Sequence, residues 1–206
     1  MPIFFKSCLK FRQHLCLDRL RPKILVICAS TSENHISKAI DHIGLSNIFD
    51  KHLEFEFDKE DVDATMTTMT EDPYVHNVPT LTGGRDYDGV YDFYKNHFIG
   101  KLPKDFKVTN ISRTVGKDQV VDELIISFTH DRQIEYMLPA VAPTGRYVEI
   151  PHVVVMKFKN NKISHEHIYW DQASVLVQIG LLKSEKMPIT GIEQTKRLLE
   201  LSKKKP

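Results

Sequence analysis

A strong excess of charge of either sign is missing from this chain. Its 206 residues carry 28 Lys and Arg against 27 Asp and Glu, a formal net charge of +1. Nucleic-acid binders draw most of their affinity from neutralising phosphates and need a positive surplus, so that class is excluded as the main role. Long apolar runs are missing too. The longest is Ile24 to Ala29, far below the roughly 18 residues of a membrane span. Cysteine is confined to Cys8, Cys16 and Cys28. No thiol is left to build a disulfide in the body of the chain, so nothing points to an oxidising compartment. There is one Trp, and no GxSxG elbow or dinucleotide fingerprint. Gly83-Gly84-Arg85 is too short for a phosphate loop.

What is present is unevenly spread. Residues 1–38 hold seven basic side chains against two acidic ones, a net +5, which leaves 21 against 25, a net −4, for the rest. A basic, acid-poor start is one mark of an organelle transit signal. The fit is partial, because serine is sparse before Ser30 and Pro22 interrupts any helix, and the favoured reading is a weakly ordered extension or an upstream start codon. The expected location is therefore cytoplasmic, with mitochondrion or another organelle as the alternative. The expected organisation is an N-terminal extension over 1–49, a domain over 50–182, and a C-terminal helix with a basic tail over 183–206.

Periodicity supplies the elements. Ile40, Ile43, Ile48 and Phe49 predict a lead-in helix over 39–53, and Phe55, Val62, Met66 and Met69 a second one ended before Pro73. A short extended piece follows from Tyr74 to Val78. Gly83-Gly84 predicts a turn, and Asp86 caps a helix carrying Val90, Phe93, Tyr94 and Phe98. The period then changes to two. Residues 106–115, 119–130, 147–159 and 162–170 predict strands, the last two joined through Asn160-Asn161. Asp171 opens a helix over 172–181, and 192–201 is a last amphipathic one. Helices first and a meander of strands after them predict an α+β fold: a cone-shaped curved antiparallel sheet wrapped by helices, with a small-molecule pocket in its mouth.

The candidates for chemistry gather in Ser164-His165-Glu166-His167-Ile168-Tyr169-Trp170-Asp171. His165 and His167 share a strand face, but a third metal ligand is missing and no metal is expected. A two-residue loop at Asn160-Asn161 pairs His152 with Tyr169 and Val154 with His167. It puts His152, His165, His167 and Tyr169 on one face, and Glu166, Ile168 and Trp170 on the other. A one-residue slip exchanges these partners. Proton transfer calls for an acid or base in an apolar site. Glu166, Asp171, His152 and His76 are the catalytic candidates, with Asp171 equally an N-cap. His167, Tyr169, Trp170 and Tyr74 are candidate pocket walls.

Asp72 to Asn77, Gly84 to Phe98, Thr144-Gly145-Arg146, Asn161-Lys162-Ile163 and Tyr169-Trp170-Asp171 followed by Gln178 to Leu181 together resemble the SnoaL-like polyketide cyclases of the nuclear transport factor 2-like superfamily. The resemblance covers roughly 50–182. It implies a helix-wrapped cone, a homodimer, no metal and no organic cofactor. It also implies a small apolar or polyketide-like ligand, with proton transfer by His76, His152 and either Glu166 or Asp171. Fold alone does not settle activity. One expectation is a cofactor-independent cyclase or isomerase working next to a carbonyl. The other is a non-catalytic ligand-binding or dimerisation module.

Overall fold

The computed structural model describes residues 44–203. The expectations for residues 1–43, the basic start and the beginning of the lead-in helix among them, lie outside the described residues, as does the end of the basic tail.

Helix α1 is described over 44–53 and runs on into a π-helical turn, Glu54–Asp58. Asp61 then caps a separate helix α2, Val62–Thr67, by accepting from the Ala64 amide at 2.9 Å. The second predicted helix is thus split and stops earlier, because strand β1 begins at Met69 and extends to Asn77. Pro73 lies inside β1, between the two stretches that pair with the neighbouring strand, where a missing N–H costs no ladder bond.

Gly83 and Gly84 form a short strand β2, Thr82–Arg85, in place of the predicted turn. It pairs antiparallel with β1. A Cβ on Gly83 would lie 2.0 Å from the Val75 carbonyl oxygen, and one on Gly84 2.2 Å from that of Gly89. Glycine is needed here because two backbones close on β2. Helix α3, Asp86–Asp92, continues into a second π-helical turn, Phe93–Phe98, and the Asp86 carboxylate accepts from the Gly89 amide.

The remaining strands are β3 (Lys107–Val115), β4 (Gln119–Thr129), β5 (Tyr147–Lys159) and β6 (Lys162–Trp170). Helices α4 (Gln172–Gln178) and α5 (Glu193–Ser202) follow. One six-stranded sheet runs in the order β2-β1-β6-β5-β4-β3, and its edge strands β2 and β3 do not pair. All neighbours are antiparallel except β1 and β6, so the expectation of an antiparallel sheet holds for all but one pair.

The hairpin register corrects the expected faces. Asn160 and Asn161 take φ of 53° and 57°, as a tight primed turn requires, and Lys159 faces Lys162. A bulge between Lys157 and Phe158 then shifts every later pair by one. His152 faces Trp170, Val154 faces Ile168, and Met156 faces Glu166. His152 therefore shares its face with Glu166 and Trp170, not with His165, His167 and Tyr169. A single extra residue exchanges the two faces of a strand.

Helix α1 and the π-helical turn after α3 lie over the face that carries Glu166, through His52 and Tyr94, while α4 and α5 hold the Glu149 backbone of β5 through Gln178 and Thr195. Phe49, Val90, Phe128, Ile150 and Val175 are fully buried in the core. Each contributes roughly 1.5–3 kcal/mol of burial.

Candidate functional site

The covered sheet face and the helices leave a cavity between them. Its interior room is about 60 Å³, within about 590 Å³ of space between atoms counted out to the mouth. The wall is mostly apolar, with Phe93, Phe98, Leu124, Ile126 and Ile168 among its residues. Glu166 and His152 line it as well.

Glu166 ends in a buried polar cluster that sequence reasoning missed. His52 Nε2 lies 2.9 Å from Glu166 Oε1 and 3.2 Å from Glu56 Oε1. The Tyr94 hydroxyl donates to Glu166 Oε1 at 2.9 Å and sits 3.1 Å from His52 Nε2. Behind the ring, His52 Nδ1 is 2.5 Å from Thr68 Oγ1. That hydroxyl already donates to the Thr65 carbonyl, so it accepts from His52 Nδ1–H. A neutral ring with its proton on Nδ1 would turn a lone pair toward two carboxylates. A proton on Nε2 as well removes that clash and makes His52 an imidazolium. Burial opposes the charge, but Glu56 and Glu166 outweigh it and push the His52 pKa up to about 10. Burial pushes the Glu56 carboxyl upward, with the His52 charge opposing. Burial and both carboxylates push Tyr94 well above its usual range, so it remains a donor.

Local structure explains the convergence. His52 and Glu56 are four residues apart and share a helical face. Glu56 sits on the first π-helical turn and Tyr94 on the second. An inserted π turn re-aims side chains and is common at functional sites. The i,i+4 spacing of His52 and Glu56 was the readable signal. The apolar residues Ile48, Phe49 and Phe55 around the pair mask it as part of a core-facing helix.

His152 lies on the same face, four strand positions from Glu166 by pairing. Its Nδ1 is 3.3 Å from the Ile150 carbonyl, which can only accept. Nδ1 therefore carries the proton and Nε2 presents a lone pair. Nε2 has no partner in the protein. Burial holds the His152 pKa down to about 4, so the ring is neutral at physiological pH. Trp170 stacks on it at 5.2 Å and is itself met edge-on by Tyr136 at 5.9 Å.

The other candidates lie elsewhere. Asp171 accepts from the Ser174 amide at 3.1 Å as the N-cap of α4, and from Gln194 at 3.1 Å. It is exposed and does not line the cavity. His76, Tyr74, His167 and Tyr169 occupy the opposite sheet face. There His76 pairs with His167 across β1 and β6, and Tyr74 Oη meets His167 Nε2 at 3.0 Å. Tyr169 is 42% exposed.

Helices packed on one face of an open, strongly paired sheet, with an acid and a histidine turned into the enclosed cavity, define the α+β cone class. Within it, the family model of the SnoaL-like polyketide cyclases matches residues 50–179, and the chain belongs to that family. No curated protein sequence matches it. Among solved structures, TsrD from Streptomyces laurentii is similar at 14% identity and a TM-score of 0.54, over 68% of this chain and 97% of that one. AclR, a putative hydroxylase from Streptomyces galilaeus, gives 14% and 0.54 over 69% and 99%. A putative SnoaL-like polyketide cyclase from Jannaschia sp. CCS1 gives 17% and 0.53 over 67% and 94%. At such identities the likeness establishes the fold. Among the described residues, no helix is long and apolar enough to cross a membrane.

Proposed function

We infer that the protein is a cofactor-independent enzyme that moves a proton next to the carbonyl of a small, mostly apolar compound, as a cyclase or isomerase does. The observation that carries this reading is the Glu166 carboxylate, 4% exposed, on the wall of an apolar cavity and held from behind by His52 and Tyr94. Those contacts fix the carboxylate oxygen and leave the chemistry to its cavity side. A carboxylate with few waters around it abstracts a carbon-bound proton more readily than a solvated one. Glu166 takes the proton. The Tyr94 hydroxyl and the His52 charge steady the group as it passes between its two forms. His152 orients the ligand. Asp171 and His76 take no part, since neither reaches the cavity.

The family name supports a carbonyl-containing substrate, and the narrow interior favours a thin, flat one. The expected homodimer would cover the outer face of β5 and β6, where the paired residues Val153 and Tyr169 stand exposed. Sedimentation of the protein as a monomer would remove that part. The activity is tested by incubating the protein in D2O with unactivated aryl and alkyl methyl ketones and following the α-hydrogen signals by proton NMR. Faster exchange than with heat-unfolded protein supports proton transfer. Equal rates across the panel favour the binding module instead.

A further inference from the structure

Three buried polar atoms on the cavity wall have no hydrogen-bond partner in the protein: Asn77 Nδ2, Tyr136 Oη and His152 Nε2. Their residues are 3%, 3% and 1% exposed. Buried polar groups are almost always paired, so three such groups around one space mark what that space is built to receive.

Their chemistry differs, and the sheet register gives their order. Asn77 Nδ2 can only donate. Tyr136 Oη donates as well, and burial pushes its pKa upward, so it keeps its proton. His152 Nε2 can only accept, because Nδ1–H is committed to Ile150. Along the inner face, Val75 lies beside Glu166 and Asn77 beside Ile168, while Trp170 lies beside His152. Each step of two residues advances about 6.7 Å. Asn77 therefore stands one step from Glu166, and His152 one step further on. Tyr136 is at the His152 end, packed against Trp170 and Phe98. Its backbone is pinned by Thr80 and Thr82, whose hydroxyls both donate to its carbonyl at 2.8 Å.

We propose that the cavity selects a flat hydroxy-ketone by both ends: Asn77 donates to its carbonyl oxygen on the Glu166 side, and at the far end His152 Nε2 accepts its hydroxyl proton while Tyr136 Oη donates to that hydroxyl's oxygen. His152 is then a specificity-determining residue that demands a donor on the ligand. This rests on the proton-transfer reading only in placing the carbonyl at the Glu166 side. Recognition itself needs no turnover. Asn77 on β1 and His152 on β5 flank β6, so the two ends also lie about 9.6 Å apart across the sheet and about 12 Å apart in all; an aromatic ring carrying the two groups para to each other, with a hydrogen bond at each end, spans that distance.

The test uses three isosteric probes in calorimetric or ligand-observed NMR titrations: 4-hydroxyacetophenone, 4-methylacetophenone, which lacks the donor, and 4-isopropylphenol, which lacks the carbonyl. The hydroxy-ketone is expected to bind the wild type at least about tenfold tighter than either analogue, the effect of leaving one buried group unpaired. His152→Phe with Tyr136→Phe abolishes the preference over 4-methylacetophenone and retains that over 4-isopropylphenol. Asn77→Leu does the reverse. Equal affinities for the three probes in the wild type overturn the proposal, as does saturable binding of none, and neither result depends on a variant folding. Glu166→Gln separates the two readings. It keeps the probe preference while losing exchange if both are right. A preference without exchange in the wild type leaves recognition standing and removes catalysis.

Discussion

Replacing His52 with Gln keeps the size of the side chain and removes its charge from between two buried carboxylates. At 2.9 Å and 3.2 Å, each contact is worth about 5 kcal/mol of attraction at an effective dielectric near 20. The cost of burying the imidazolium and the repulsion between the carboxylates offset much of this. Breaking a buried ion pair on one side costs about 3–5 kcal/mol. For a domain of this size that is a fall in melting temperature of about 6–20 °C. The effect depends on pH in a definite way. His52 has a folded pKa of about 10, above its ordinary value of 6.5. Its contribution is therefore complete below 6.5 and lost between 6.5 and 10, at about 1.4 kcal/mol per pH unit. On the acid side the variant recovers as Glu56, already pushed upward by burial, takes up a proton. Urea titrations of wild type and variant from pH 4.5 to 10 should show a difference largest near neutrality and smaller at both ends. Glu56→Gln leaves a balanced His52–Glu166 pair and should cost much less. A difference that is flat with pH, or a Glu56→Gln cost equal to that of His52→Gln, refutes the ion-cluster reasoning.

Other outcomes follow from the same contacts. The His152 pKa is depressed to about 4, so the neutral ring supports the fold above 6.5, and that support is lost as the pH falls from 6.5 to 4. His152→Phe should flatten the acid limb of the stability curve by about 3 kcal/mol, read from urea midpoints. Asp171→Ala removes the cap of α4 and should cost about 1 kcal/mol, with exchange activity unchanged in the NMR assay. Arg113 holds Asp122 through two bonds of 2.6 Å and 2.7 Å, and reaches Asp50 at 2.7 Å. Arg113→Met strands the buried Asp122 carboxylate and should destabilise by about 3 kcal/mol in thermal melts.

Strands β4, β5 and β6 were legible because they are rich in Val, Ile and Phe and the last two are joined by the Asn160-Asn161 turn. Residues 119–129, 147–159 and 162–170 fall within a residue of expectation. The family resemblance was legible from motifs spread along the chain: Asp72 to Asn77 in β1, Gly84 to Phe98 through α3, and Tyr169-Trp170-Asp171 at the junction of β6 and α4. The bulge near Lys157 was not legible. No glycine or other special residue marks it, yet it decides which face Glu166 joins. The cluster was hidden differently. His52, Glu56 and Tyr94 lie in helical segments whose apolar periodicity reads as core. Only the two π-helical turns and the long-range closure onto β6 bring them to Glu166.

The central claim is that Glu166 carries the proton. The most direct measurement is the α-hydrogen exchange rate of one responsive ketone in D2O, for wild type and for Glu166→Gln matched in fold by circular dichroism. A general base is worth about 10²–10⁴-fold in rate, and a loss of that size is the predicted result. An unchanged rate in a folded Glu166→Gln protein would contradict the account.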